Sequence, residues 1–506
     1  MDAYWSAIKV VLASPTILFL DFIGVYIGIV IGAIPGLGPV FALSLFLALT
    51  VGMDAINGIT FLIAIYCGCV AGGSISSILL NIPGTTGSIA TSFDGFPMSQ
   101  KGKAGTALGA AFTASAIGGI VGPLALAIVG PRLGRLAVAL GPAEYASLVL
   151  LAFAMVASAS RSVASKGLLV AGFGLMLSFV GIDIITATAR FAVGNLLLEN
   201  GVPFISAVIG VFAFSQAIVF AVSGGTVSEG GHITDSVFAG VISVLKVPFK
   251  LLRSVIIGVA IGIMPGIGIS VSGLLNHAVE KNLSNDPDSY GRGNVNGLIA
   301  AESGNNATAT GSLATAFSLG IPGGSTDAIL LGGLMMYGLS PGRSFFDTSE
   351  SLFFPILIIA MLVAPLVLLS ALSIVRYMVI VTRIPHYTLL PIIIMLSFLG
   401  SYSIRGQMFD VWIMVIVGSI AYFLRRANFP LANFAIAMVL GSMFEQNVSR
   451  ALRISHGSLS IFVTRPIPLI VVIITLFVLL TAFVDVKGWW KALIKRLFPT
   501  LGGGSA

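Results

Sequence analysis

Two short segments hold most of the groups in this sequence that are suited to binding a ligand. Asn81-Ile-Pro-Gly-Thr-Thr-Gly-Ser88 and Gly320-Ile-Pro-Gly-Gly-Ser-Thr-Asp327 each place hydroxyls and glycine-rich backbone directly after an apolar stretch. Upstream, Pro35-Gly-Leu-Gly38 and Pro265-Gly-Ile-Gly268 interrupt apolar sequence. Proline removes an amide donor and clashes with the preceding turn, so a helix is expected to break at both points. The chemistry on offer is coordination. Helix N-termini present amides and a positive dipole end to a carboxylate, and exposed carbonyls and hydroxyls suit a cation such as Na⁺.

Acids within apolar sequence are costly and usually functional. Asp327, and Glu302 ahead of Asn305-Asn306, are candidates for a coupling ion or proton, or else are paired structural acids. Asp94, in Phe93-Asp-Gly-Phe-Pro97, reads as a cap or turn residue. Lys101, Lys103 and Arg343 follow the polar segments and either attract an anion or anchor cytoplasmic loops. Cys67 and Cys69 have no His or acid nearby to complete a metal site and read as small packing residues. His232, His277, His386 and His456 are scattered, which argues against a metal cluster and for interfacial polar residues.

The elements that position these groups belong to a membrane protein. The 506 residues are 57% hydrophobic and 9% charged, with a mean hydropathy of +1.06, whereas soluble domains carry roughly 25% charged residues. A bilayer span takes about 20 mainly apolar residues, and such stretches recur to give an expected ten to thirteen membrane segments. Asp2 and Lys9 precede a long apolar stretch without a small-residue cleavage site, so the first helix is expected to stay. The net charge of +7 sits in short loops such as Arg425-Arg426 and in Lys487-Gly-Trp-Trp-Lys491 with Lys495-Arg496. That is a cytoplasmic anchoring pattern, which puts the C-terminus in the cytoplasm. The final Gly-Gly-Gly-Ser-Ala reads as a flexible end or an added tail.

The chain is internally duplicated. Residues 21–40 laid over 251–270, an offset of 230, give eight identities in twenty, including Gly28, Gly32, Pro35, Gly36 and Gly38 against Gly258, Gly262, Pro265, Gly266 and Gly268. At an offset of 239, Asn57-Gly58 meets Asn296-Gly297 and Ile82-Pro83-Gly84 meets Ile321-Pro322-Gly323. The extra residues of the second copy are expected in a polar connection at 282–294. Glycines four apart, Gly24-Gly28-Gly32 and Gly258-Gly262, let helices approach closely. Paired Gly/Pro breaks at corresponding positions of two halves point to a transport site, and the two Ile-Pro-Gly segments suit re-entrant hairpins. The expected fold is an all-α polytopic membrane protein in two repeated halves, inverted relative to each other. Its parts are a first repeat over 1–130, scaffold helices and the inter-half connection over 131–250, a second repeat over 251–345, and scaffold helices with a basic end over 346–506. The clearest hydrophilic connection is 223–250, with Glu229, His232, Asp235 and Lys246.

Gly32-Ala-Ile-Pro-Gly-Leu-Gly-Pro39, Asn81-Ile-Pro-Gly-Thr-Thr-Gly-Ser88, Phe93-Asp-Gly-Phe-Pro97 with Lys101-Gly-Lys103, and Gly320-Ile-Pro-Gly-Gly-Ser-Thr326 occur in this order. Together they resemble the large membrane subunit of tripartite tricarboxylate transporters, over nearly the whole chain. The resemblance implies a bacterial inner-membrane secondary transporter driven by an ion gradient. It also implies a small four-helix membrane subunit and a periplasmic solute-binding protein as partners, and citrate or a related carboxylate as substrate. By that pattern the substrate site is formed by Pro35, Gly36, Gly38, Asn81, Pro83, Gly84, Thr85, Thr86 and Ser88, with Pro265, Gly266, Gly268, Pro322, Gly323, Gly324, Ser325 and Thr326. Asp327, Glu302, Asn305 and Asn306 are then the coupling-ion candidates, with Na⁺ near Gly84, Thr85, Gly323 and Ser325; no other cofactor is expected.

Other classes fit less well. The chain has no Gly-x-Ser-x-Gly elbow, no His-Glu-x-x-His and no Gly-x-x-x-x-Gly-Lys-Ser/Thr loop, which disfavours a membrane enzyme or an ATP-driven pump. The alternative is an anion-selective channel, because paired re-entrant loops also build selectivity filters.

Overall fold

The computed structural model describes residues 2–159, 164–183, 187–223, 233–264, 266, 268–339, 341–342, 350–381 and 384–483. Glu229, His232, Pro265, Arg343 and the basic end from Lys487 to Arg496, with the final Gly-Gly-Gly-Ser-Ala, lie outside the described residues.

The N-terminal part runs through α1 (Asp2–Leu12), α2 (Pro15–Ala33), α3 (Pro39–Phe46), α4 (Ala55–Leu80), α5 (Ile89–Gln100) and α6 (Ala104–Ala139). Next come α7 (Pro142–Ala159), α8 (Ala164–Ser178), α9 (Leu196–Glu199), α10 (Phe204–Val208) and, after a π-helical turn at Ile209–Phe214, α11 (Ser215–Ser223) and α12 (Val237–Leu245). The second series is α13 (Pro248–Ile263), α14 (Gly268–Asn282), α15 (Val295–Leu319) and α16 (Ser325–Met336), followed by α17 (Glu350–Ile374). The chain closes through α18 (Met378–Val381), α19 (His386–Ser403), α20 (Met408–Arg426), α21 (Ala432–Ile454), α22 (Ile461–Thr464) and α23 (Pro466–Phe483). Among the described residues the β-structure is one antiparallel pair, Gly181–Ile182 with Ala189–Arg190.

Among the described residues six helices are long and apolar enough to cross a membrane: Pro15–Ala33, Ala55–Leu80, Ala104–Gly130, Phe204–Val222, Leu352–Tyr377 and Met408–Arg426. Shorter apolar helices, such as Ala164–Ser178 and Tyr387–Ser403, accompany them. The chain is an all-α polytopic membrane protein. Several segments that hydropathy alone reads as spans are short because Gly/Pro breaks divide the chain.

Two helices form the centre. α4 is buried from Gly58 to Leu80, and α15 from Gly297 to Ser318. A helix buried on every side cannot show an apolar stripe, and what selects its neighbours here is glycine. A Cβ at Gly28 or Gly32 would fall 2.3 Å from the Ile65 carbonyl oxygen or 2.2 Å from that of Cys69, so α2 meets α4 backbone to backbone. α13 meets α15 in the same way: a Cβ at Gly258 would lie 2.4 Å from the Gly304 oxygen and one at Gly262 2.7 Å from that of Thr308. α6 closes on α15 through Gly118, where a Cβ would lie 2.2 Å from the Ser303 oxygen. Close approach of this kind replaces the hydrophobic driving force that lipid cannot supply.

Three local expectations are corrected. Asp94 does not turn the chain; it lies within α5, fully buried. Its Oδ1 accepts from the Gly291, Gly293 and Asn294 amides at 2.8, 3.0 and 2.8 Å. His277, expected at an interface, is buried with Nε2 2.8 Å from the other Asp94 oxygen. This pair pins the polar connection at 283–294 to α5, and tertiary packing overrides the turn propensity of Asp-Gly and Pro. The segment 223–250 contains an apolar helix, α12, packed on α6 where a Cβ at Gly240 would meet the Thr106 oxygen at 2.1 Å. Asp235 beside it accepts from the Thr106 amide at 2.8 Å.

Replacing Gly28 by valine forces a side chain into the α4 backbone, and overpacking typically costs about 1–3 kcal/mol. Gly28→Val is expected to lower the thermal transition in detergent by several degrees, whereas Gly172→Ala, where a Cβ meets nothing within 4 Å, is expected not to lower it. An unchanged transition for Gly28→Val would show that the helices separate without cost.

Candidate functional site

The site is built from two breaks and two loops. α2 ends at Ala33, Ile34 is extended, and Gly36 has φ +88 before α3 begins with Gly38 as its N-cap. α13 ends at Ile263, Met264 is extended, and Gly266 has φ +78 before α14 begins at Gly268. The repeated Pro-Gly thus places glycine where a left-handed backbone is required. Each long helix also ends in a left-handed cap, α4 at Asn81 with φ 57 and α15 at Gly320 with φ 70. These are the residues that tolerate that conformation best.

The loops that follow fold back onto the breaks. A Cβ at Gly84 would lie 2.2 Å from the Gly32 oxygen, at the end of α2, and one at Gly323 would lie 3.3 Å from the Gly262 oxygen, at the end of α13. The Gly266 amide donates to the Gly323 oxygen at 3.0 Å, and the Gly84 amide to the Gly73 oxygen at 3.3 Å. Backbone left open by the breaks is therefore met by backbone of the loops.

Between the two assemblies lies a cavity of about 580 Å³. Residues from the first turns of four helices line it: Gly38 and Pro39 of α3, Thr86 and Ile89 leading into α5, Gly268 and Ile269 of α14, and Ser325, Thr326 and Asp327 of α16. Helix N-termini carry about half a positive charge each, so these four favour an anion.

The buried carboxylate of Asp327 is the acid in this wall. It accepts from Ser312 Oγ at 3.0 Å, and Tyr66 and the Gly323–Gly324 backbone stand close around it. Tyr66 stands on α4, so the long helix of one half reaches the loop of the other. The reverse holds on the opposite side, where a Cβ at Gly87 would fall 2.2 Å from Asn305 Oδ1 of α15. Asn305 is fully buried, and neither of its side-chain polar atoms has a partner.

Of the residues singled out by sequence, Gly36, Gly38, Pro83, Gly84, Thr85, Thr86, Gly268, Gly323, Gly324, Ser325, Thr326 and Asp327 line this cavity. Pro35, Asn81, Ser88, Gly266 and Pro322 are not in its lining. Asn81 is an exposed cap, and the Ser88 hydroxyl closes a capping box, accepting from the Thr85 amide at 3.1 Å. Pro265 lies outside the described residues. Glu302 is fully buried away from the lining, accepting from Thr91 Oγ1 and from Ser115 Oγ at 2.9 Å. Asn306 Nδ2 donates to the same Ser115 oxygen at 2.8 Å, so this cluster ties α5, α6 and α15 together.

Sequence reasoning missed Tyr66, Thr308 and Ser312 on the long helices, and Phe212, Gln216 and Arg425 on elements assigned to scaffold, all in the lining. The signal available was polarity at membrane depth, strongest for Gln216 in an apolar run; Thr308 and Ser312 were masked by the other polar residues of 302–312. Asp21, buried on α2 beside Thr60, carries the same signal but is not in the lining.

The family model of the tripartite tricarboxylate transporter TctA family matches residues 18–436. The chain belongs to this family. It is 31% identical over 454 residues to an uncharacterized 52.8 kDa protein in the TAR-I ttuC' 3' region of Agrobacterium vitis, covering 90% of each chain. It is 32% identical over 210 residues to an uncharacterized protein in the TAR-II ttuC' 3' region of the same organism, 42% of this chain and 87% of that one. No solved structure matches it. This TctA family member is therefore a membrane subunit of a tripartite transporter, belonging to a transporter family and not an enzymatic one.

Gly38 offers a direct probe of the cavity, because a Cβ there meets no atom within 4 Å. Its backbone, at φ −84, admits any residue. Gly38→Leu is expected to fold with an unshifted thermal transition in detergent and to lose at least about tenfold in carboxylate uptake rate by the leucine side chain's occupation of the cavity. Uptake at the unsubstituted rate would place the translocation path elsewhere.

Proposed function

We propose that this subunit is the secondary active transporter core that carries a tricarboxylate or related carboxylate across the bacterial inner membrane. The observation that supports this reading best is the convergence of four helix first turns from both halves on one cavity with a buried acid in its wall. The two Ile-Pro-Gly loops act as re-entrant hairpins of an inverted repeat, and their amides and hydroxyls hold the substrate carboxylates near the membrane midplane. Gly84, Thr85, Gly323 and Ser325 supply oxygens for Na⁺, or Asp327 takes a proton.

Asp327 is the preferred coupling residue. It lies in the lining, and among the described residues it has no ion-pair partner, so a cation or proton can neutralise it in one part of the cycle. Asn305, with its open amide against Gly87, is the second candidate. Glu302 and Asn306 have their partners already and serve to tie the first hairpin to α6 and α15. A periplasmic solute-binding protein delivers substrate, and a small four-helix membrane subunit completes the complex. The C-terminus is cytoplasmic, and a unit built from the repeats moves against the remaining helices.

Proteoliposomes holding this chain and its small membrane partner test the reading, with labelled citrate and other carboxylates, binding protein, and a Na⁺ or proton gradient each added or omitted. Accumulation against the substrate gradient is expected only when binding protein and an ion gradient are both present. Gradient-independent equilibration would indicate a channel, and no flux of any carboxylate would remove the substrate class. In the same assay Asp327→Asn is expected to abolish accumulation while leaving exchange of substrate across the membrane. Full accumulation by that variant would take coupling away from Asp327.

A further inference from the structure

The cavity has a second charged side chain that belongs to neither repeat. Arg425, in the last turn of α20, lines the wall and is half-buried. Its Nη1 donates to Gln216 Oε1. Gln216, on α11, is buried and lines the same cavity. Its Nε2 lies 3.6 Å from where a Cβ at Gly36 would stand, beside the first helix break.

The neutral partner is the informative feature. A guanidinium within a membrane protein is normally neutralised by an acid, and elsewhere in this chain Arg405 pairs with Asp410 at 2.6 Å and Arg253 with Glu280. Gln216 satisfies one of the five donors of Arg425, and among the described residues no carboxylate pairs with it. The planar fork of arginine matches a carboxylate with two parallel hydrogen bonds. A second carboxylate, apart from the one held at the hairpins, supplies the missing charge.

We infer that Arg425, positioned by Gln216, is the seat for a further carboxylate of the substrate and makes the cavity select polycarboxylates over monocarboxylates. The inference rests on the carboxylate-transport reading of this cavity. Because Arg425 and Gln216 stand on α20 and α11 and the other contacts on the hairpin loops, one polycarboxylate bridges the repeats and the helices they pack against. A monocarboxylate cannot do so.

The test uses the complete transporter in proteoliposomes and measures inhibition of labelled uptake by citrate, succinate and acetate. For Arg425→Gln, a lost charge-assisted pair predicts a rise of about 10- to 100-fold in the inhibition constants of citrate and succinate, with acetate changing less than about threefold by the same reasoning. Arg425→Lys is expected to fall between, because a lysine cannot make the bidentate contact. Gln216→Glu is the decisive variant, since it keeps the arginine but gives it an internal carboxylate. It is expected to weaken citrate and succinate as Arg425→Gln does, with an unshifted thermal transition. Equal changes for all three acids, or none, would leave Arg425 as an anchor for the membrane surface and overturn the inference. Should the unsubstituted transporter show no saturable uptake of any carboxylate, the functional reading itself fails, which is a distinct outcome.

Discussion

Backbone polar groups cannot be left unpaired in hydrocarbon, and the architecture is organised around the two places where this chain opens them. Proline and left-handed glycine interrupt a helix in each half, freeing carbonyls at the ends of α2 and α13 and amides at the starts of α3 and α14. The loops after α4 and α15 answer these openings, with Gly84 set against the Gly32 carbonyl and Gly323 accepting from the Gly266 amide. Break and loop lie about fifty residues apart in sequence, so each can be stable only if the intervening long helix is held in place. The glycine seams of α2 with α4 and of α13 with α15 do this, and explain why the central helices are buried on every side.

The duplicated backbone carries chemistry that is not duplicated. Ser88 and Asp327 occupy matching positions in the two polar segments; the Ser88 hydroxyl accepts from the Thr85 amide, and the Asp327 carboxyl lies beside the Gly323–Gly324 backbone that starts its helix. In the first half the cap is a neutral hydroxyl, which costs little to bury; in the second it is a carboxylate. The difference places one carboxyl group at the cavity, met by Ser312 and lying near Tyr66 of the other half. Tyr66 and Asn305 also match at the offset of 239, and each lies against the opposite loop. The two halves are therefore joined at the site by side chains that their shared ancestry would have made alike.

Much of this was legible in the sequence because Pro and Gly act locally. The breaks at Pro35-Gly36 and at Gly266 and the close-packed glycines follow from residue type and spacing alone, as does the membrane class from composition; the left-handed cap at Asn81 was read instead as part of the substrate site. Asp94 and His277 were misread because their partners lie about 200 and 180 residues away, and a Phe-Asp-Gly-Phe-Pro run looks like a turn when its buried receptor is unseen. Arg425 was read as a loop anchor for a similar reason. A basic pair at the end of an apolar run satisfies the positive-inside pattern whether or not one member faces inward.

The fold also limits what kind of motion can serve function. The first loop is held to α4 by the bond from the Gly84 amide to the Gly73 carbonyl. It is held to the second half through α5, where Thr91 meets Glu302 of α15 and Asp94 receives three amides of the 283–294 connection. Independent opening of that loop would have to break buried, charge-assisted hydrogen bonds, each worth about 1.5–3 kcal/mol. Helices α11 and α20, by contrast, meet the first break across the amide of Gln216 and the guanidinium of Arg425, with open cavity between them and the second loop. The seam that the cavity opens therefore runs between the two loops and these flanking helices. Displacement of the two loops as one body along that seam would conserve the paired backbone of both breaks, which separate movement of either loop would not.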